Sequence, residues 1–276
     1  MVERIIVLID TLNVGGAETF IMKIFRSLDL SKHVFDFLIC ENEKCFYEDE
    51  VNKLGGNIYH GYYKSKNLFK CLSYIYSVAK KNRYKKALIF SQHPIVFLDL
   101  IALKLAGVKK RIVRSTNSAC GGKISMILAF IFRPIMNMLI SFRVAPSKEA
   151  AQWLYGKKIV RKEKYTLINN GLDLSIYKYS LFLRNQFREE NKLTDKTIIG
   201  HIGRFNKQKN HIFLLKIFKE YLSFNNQAIL VLIGIGELKK VIAEEIDKHN
   251  LNNNVLMFDI RSDIPKCLSA FDIFLF

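Results

Sequence analysis

The chain has 276 residues, half of them hydrophobic, with a mean hydropathy of +0.07, which excludes a disordered polymer and leaves room for two ordinary domains. Lys and Arg total 43 against 25 Asp and Glu, a net charge of +18. An anionic partner is therefore expected: nucleic acid, a phosphorylated metabolite or an acidic membrane. The excess is uneven, with 29 basic and 14 acidic residues through Lys178 but 14 and 11 after it.

In chain order, Met1 to Arg4 leads straight into Ile5–Ile9, an apolar run too short for a signal peptide and closed by Asp10 and Thr11, so it reads as a first strand. Further β-branched runs predict strands at Phe35–Ile39, Ala87–Phe90, Arg111–Val113, Ile198–Ile202, Ala228–Ile233, Val255–Phe258 and Ile273–Phe276. Between them lie helical stripes: Ile21, Ile24, Phe25 and Leu28; Leu214, Ile217, Phe218 and Tyr221; and Leu238, Val241, Ile242 and Ile246. Continuous apolar strands alternating with helices predict an α/β protein with parallel sheets covered on both faces.

Ile124 to Phe142 is apolar on nearly every face, broken by Arg133, Pro134 and Asn137 and flanked by Lys123 and Arg143. The central charge and proline argue against a membrane span. A helix packed against a sheet and a helix lying on a bilayer surface both remain open. The strand pattern pauses between Lys157 and Lys196, around the turn Ile168-Asn169-Asn170-Gly171-Leu172-Asp173. The predicted domains are accordingly 1–178 and 179–276, and the second is expected to be incomplete, because the chain stops inside an apolar strand.

Five scattered cysteines, Cys40, Cys45, Cys71, Cys120 and Cys267, form no C-x-x-C pair and adjoin no histidine cluster. Neither a disulfide framework nor a metal site is expected, and a reduced cytoplasmic protein is the simplest reading.

Three glycine-bearing loops follow predicted strands. Gly15 and Gly16 precede the first amphipathic helix, whose N-terminus offers free N–H groups to a phosphate. Gly200-His201-Ile202-Gly203-Arg204-Phe205 continues to Lys209, so one loop holds a bidentate guanidinium and a compact ammonium, a pair matched to a diphosphate. Its glycine at the strand end would leave room beside a ligand. Gly234-Ile235-Gly236-Glu237 repeats the arrangement after the next strand. Loops at the carboxyl ends of parallel strands are where open α/β folds bind ligands. His93, after the strand Ala87–Phe90, could act as a general base or serve structure only, and His201 could face the ligand or the sheet. No nucleophile elbow and no committed carboxylate pair is present.

With these residues in view, the chain resembles the retaining glycosyltransferases of family 4, in their bacterial capsular and exopolysaccharide branch. The resemblance rests on Gly15-Gly16-Ala17-Glu18-Thr19, Ala145-Pro146-Ser147-Lys148-Glu149-Ala150-Ala151 with Trp153-Leu154-Tyr155-Gly156, and Ile168 to Asp173. It extends to Gly203-Arg204-Phe205 with Gln208-Lys209-Asn210-His211, and to Arg261-Ser262-Asp263-Ile264-Pro265. It implies GT-B architecture, two Rossmann-like domains facing a cleft. It also implies a nucleotide-diphosphate sugar, UDP-linked by expectation, held chiefly by the second domain.

By the same resemblance Arg204 and Lys209 bind the diphosphate and stabilise its departure without a metal, and Gly15 and Gly16 approach it across the cleft. Gly203, Gly234 and Glu237 join the donor set, and Ile260 and Arg261 form the wall beside the base. On the acceptor side stand His93, Thr116 and Asn117, with Thr116 where many relatives carry a histidine. The E-x7-E carboxylates of the family would lie beyond the chain's last strand. The expected acceptor is a lipid-linked glycan or an oligosaccharide, and the basic first domain predicts peripheral docking on an acidic inner leaflet. Alternatives are an inactive remnant that binds nucleotide weakly, and a Rossmann oxidoreductase, which lacks its G-x-G-x-x-G fingerprint here. No organised nucleic-acid reader is present, so nucleic acid is not an expected partner.

Overall fold

The computed structural model of the chain describes residues 2–116 and 123–275, with side chains from residue 126 onward in the second stretch. The chain divides between Gly171 and Leu172 into two compact units, slightly before the Lys178 boundary expected from the pause in the strand pattern.

The first unit alternates strand and helix: β1 (Glu3–Leu8), α1 (Gly16–Ser27), β2 (His33–Ile39), α2 (Glu48–Lys53), β3 (Ile58–His60), α3 (Leu68–Lys81), β4 (Lys86–Ser91), α4 (Phe97–Leu105), β5 (Lys110–Ser115), α5 (Lys123–Leu139), β6 (Phe142–Ala145), α6 (Lys148–Tyr155), α7 (Lys157–Arg161) and β7 (Thr166–Leu167). Its strands form one parallel sheet in the order β3-β2-β1-β4-β5-β6-β7. The strand period of two splits β1 between two cores: Ile6 and Leu8 face the side covered by α3, α4 and α6, while Val7 joins Phe25 of α1 and Phe37 on the other. Burial on both faces is why β1 reads as an unbroken apolar run.

The second unit holds α8 (Leu181–Glu190), β8 (Ile198–Ile202), α9 (His211–Leu222), β9 (Ile229–Ile233), α10 (Lys239–Lys248), β10 (Val255–Phe258), α11 (Ile264–Ala270) and β11 (Ile273–Phe274). The sheet is again parallel, in the order β10-β9-β8-β11. Leu230 and Leu232 face α9 and α10, whereas Val231 and Ile233 face α8 and α11. Asp272 ties this unit together: its carboxylate accepts from Arg184, from Arg188 and from the Ile198 backbone N–H.

Three strands, β3, β6 and β7, were not anticipated. They are only two to four residues long, and β7 falls inside the stretch where the strand pattern had been read as pausing. The apolar segment 124–142 is likewise two elements: α5 ends at Leu139, and Phe142 opens β6. Arg143 enforces the break by donating to the Asn137 backbone carbonyl and side-chain oxygen at the end of α5. No helix among the described residues is long and apolar enough to cross a membrane.

Candidate functional site

In each unit the strand order reverses once, between β1 and β4 and between β8 and β11. A reversal in an open parallel sheet leaves a crevice at the carboxyl ends of the two diverging strands. In the second unit the loop leaving β8 there carries Gly203, Arg204 and Lys209.

That loop is built to a fixed shape. Asn206 Oδ1 accepts the Lys209 backbone N–H at 3.2 Å and closes the turn Lys207–Lys209. Asn210 then takes a left-handed conformation (φ 48°) to enter α9. Phe205 is fully buried, whereas Arg204 and Lys209 are exposed and carry no carboxylate partner among the described ion pairs. Gln208, Lys209, Asn210, Phe213 and Leu214 line a hollow of about 280 Å³. A larger one of about 530 Å³, lined by Glu189, Lys192, Lys196 and Gln227, lies by the amino end of β8. It is thus at the wrong edge of the sheet for such a site.

The 234–236 glycines serve this loop directly. Gly203 N–H donates to Ile233 O, Phe205 N–H to Ile235 O, and Leu238 N–H back to Phe205 O. A Cβ on Gly234 would overlap the Gly203 carbonyl, and one on Gly236 the Phe205 backbone. Both sit at strongly positive φ, 154° and 159°. The close approach these residues permit is of loop to loop. Gly200 lies within β8, and a Cβ there would strike the Phe271 ring, so this glycine admits a core aromatic.

Glu237 is exposed on the same loop, and Ile260 is half-buried on the loop after β10. Arg261, expected beside the base, is held by Asp263 through two bonds of 2.6 and 2.8 Å and lies over Phe258 and Phe187. The Asp263 carboxylate raises its basicity. His201 points into the core with 1% exposure, so the sheet-facing alternative is the one observed. Its Nδ1 meets Leu275 O at 2.9 Å.

In the first unit Gly15 is the N-cap of α1, and its missing side chain makes room for the Glu18 carboxylate. The helix N-terminus offered to a phosphate thus already holds an acidic group of its own chain, where a negative charge is favoured. His93 Nδ1 accepts the Ile95 N–H and caps the turn Pro94–Val96, a structural use of that imidazole. Thr116 continues β5 by donating its backbone N–H to Ser91 O. Asn117 lies outside the described residues, as does Cys120; the other four cysteines are free thiols. No group of three metal-ligating side chains occurs among the described residues.

Arg114, at the end of β5, is a residue sequence reasoning missed. Its guanidinium is 2% exposed, stands 3.7 Å over the Phe20 ring, and donates to Asn170 Oδ1 at 2.6 Å. No carboxylate faces it among the described ion pairs, and burial pushes its pKa down to about 10. A cation directly after the apolar pair Ile112-Val113, two residues before Thr116, was the available signal.

A family model described as "Glycosyl transferases group 1" matches residues 184–276. Over 285 aligned residues the chain is 31% identical to a protein of Bacillus subtilis (strain 168) described as "Putative glycosyltransferase EpsF", covering 99% of this chain and 72% of that protein. Among solved structures, HepE of Anabaena, crystallised with UDP-glucose, superposes with a TM-score of 0.77 at 19% identity, covering 98% of this chain and 72% of that one. WaaG, a glycosyltransferase involved in lipopolysaccharide biosynthesis, superposes with a TM-score of 0.69 at 13% identity, over 98% and 74%. Two doubly wound parallel sheets, a cationic loop at the switch point of the second, and an EpsF likeness running nearly end to end lead to one assignment: this chain belongs to the group 1 glycosyltransferases, of GT-B fold.

Proposed function

We propose that the chain is a retaining, metal-independent glycosyltransferase that moves a hexose-type unit from a nucleotide-diphosphate sugar, a UDP-sugar first of all, to a lipid-linked glycan in surface-polysaccharide assembly. The observation that carries this reading is the pair Arg204 and Lys209, unneutralised on a rigid loop at a switch point. Two cations can offset the charge that develops on a departing nucleoside diphosphate. HepE holding UDP-glucose and WaaG acting in lipopolysaccharide biosynthesis accord with the donor and the pathway class. Gly203, Gly234 and Glu237 are assigned to donor binding with them, and the edge carrying His93 and Thr116 to the acceptor.

The site of action assigned is the cytoplasmic face of the cell membrane, reached by peripheral docking. On α5 the residues Met126, Ile127, Phe130, Ile131, Ile135 and Met138 are all exposed. α4, which packs on α5, exposes Lys104 and Leu105, and α7, which packs on the neighbouring α6, exposes Lys157, Lys158 and Arg161. Apolar bulk bordered by cations suits an anionic lipid surface.

Calorimetric titration with UDP-glucose tests the donor site. Arg204→Ala should weaken binding about tenfold or more, as expected for losing a charge-assisted phosphate contact. Equal affinity in variant and parent overturns the assignment. Binding without turnover would make the chain a nucleotide-binding remnant of the family, and an inverted product anomer would exclude retention.

A further inference from the structure

His201 and His211 form a buried pair behind the cationic loop. Each is 1% exposed, and their rings meet edge to face at 4.9 Å. His211 also packs edge to face on Phe205 at 4.8 Å, the loop residue between Arg204 and Asn206. His201 Nδ1 lies 2.9 Å from the Leu275 carbonyl oxygen. A carbonyl only accepts, so Nδ1 carries the proton and Nε2 is left with its lone pair.

That Nε2 is buried and has no hydrogen-bond partner among the described residues, which is costly for an acceptor. What faces it is set by Gly203. A methyl group placed there would lie 2.9 Å from Nε2 and 3.3 Å from Lys209 Cε, so one methyl-sized gap separates the lone pair from the lysine stem. Burial and then the Lys209 charge hold the imidazole's basicity down, which keeps the lone pair free near neutrality.

We propose that His201 is the positioning residue for Lys209, its Nε2 accepting one ammonium N–H and so aiming the cation along the Gly203–Phe205 backbone. An ammonium has three donors, so two remain for a nucleoside diphosphate. The imidazole needs its fixed tautomer for this, and the Leu275 carbonyl supplies it. Gly203 is required between them because any side chain would fill the gap. The inference rests on the reading of Lys209 as a diphosphate ligand and adds a residue with no contact to the ligand itself.

The test is a double-mutant cycle on UDP-glucose affinity in the full chain. His201→Phe should weaken binding about tenfold, the loss of one oriented charge-assisted bond, and should add nothing further in a Lys209→Ala background. Combined with Arg204→Ala, its effect should instead multiply. His201→Gln, which keeps an acceptor near Nε2, should restore affinity to within about threefold. Independently of any ligand, long-range nitrogen NMR should find His201 protonated at Nδ1 alone at pH 7, and the Lys209 side-chain resonances should move in His201→Phe.

Multiplicative losses with Lys209→Ala, or Lys209 resonances indifferent to His201→Phe, overturn the inference. If Arg204→Ala and Lys209→Ala are themselves silent, the donor reading has failed, and the NMR measurement still decides whether His201 orients Lys209.

Discussion

At the scale of single residues, Arg114 shows how far a buried charge can depart from its usual surroundings. The guanidinium has an aromatic face and an amide oxygen for company but no carboxylate among the described ion pairs, and its depressed basicity records the cost of burial. The sign follows directly. With a folded pKa below the unfolded one, the group destabilises the fold wherever it is charged in both states, and that penalty is relieved only as pH climbs from about 10. Replacing such an ion by an apolar chain of similar volume is commonly neutral or stabilising, while removing only its partner is not. Arg114→Met is therefore expected to hold or raise the thermal midpoint. Asn170→Ala, which leaves the cation and takes its acceptor, should cost about 1–3 kcal/mol in denaturant unfolding. The reverse ranking would mean that the Phe20 contact outweighs desolvation.

At the scale of elements, α5 divides its apolar residues between two destinations. Ala129, Met136 and Ile140, the last just past its end, turn into the core, while Phe130 and Met138 remain 78% and 85% exposed on the opposite side. Arg133, the charge that argued against a span, is turned inward onto the Leu154 and Trp153 carbonyls at the end of α6. The outer stripe is left uncharged. The packed-helix expectation thus holds on the inner face, and the outer face is the one assigned to the proposed bilayer contact. Sedimentation with phosphatidylglycerol-rich vesicles should deplete the parent protein, with release at raised salt. Phe130→Ser with Met138→Ser should cut the bound fraction about tenfold or more, because each buried side chain of that size contributes about 1.5–3 kcal/mol. Binding indifferent to both lipid charge and these two substitutions removes α5 as the contact.

Among the elements themselves, legibility followed length and burial. Strands β8 and β10 begin and end where their apolar runs do, because each is sandwiched and bordered by loop residues. The short strands β3 and β7 escaped because two or three residues cannot display a period, whereas β11, equally short, was legible from the apolar run Ile273–Phe276 around it. The cationic loop was legible by composition. What Gly234, Gly236 and Gly200 do was not, since a glycine's sequence neighbours do not reveal which distant backbone or ring lies against it. Arg261 was expected in the wall beside the base, and the fold pairs its guanidinium with Asp263, two residues on.

At the scale of the whole molecule, the two units should respond differently to acid. The second buries two histidines whose folded pKa values lie below the ordinary imidazole value, His211 at about 4 and His201 lowered as well, both chiefly through burial. The unfolded chain takes up those protons first, so stability present above about pH 6.5 is lost as pH falls toward the folded values. For His211 alone the loss by pH 5 is about 2 kcal/mol. Asp272 adds a later loss. Burial opposes its ionisation, but the Ile198 N–H, Arg184 and Arg188 outweigh that and keep its carboxyl below the ordinary range. Its contribution therefore disappears only below about pH 4. The first unit has no histidine in the fully buried class; His33, His60 and His93 are partly or fully exposed. Trp153, the single tryptophan, is in that unit and donates to Gln92 O, so its fluorescence reports the first unit alone, whereas far-ultraviolet dichroism reports both. On acidification the dichroism should fall in a first step between about pH 6 and 4 while Trp153 emission holds. His211→Phe, which keeps the ring volume and discards the titration, should shift that step to lower pH. Coincident transitions in both signals, unmoved by the substitution, would place the acid sensitivity outside the histidine pair.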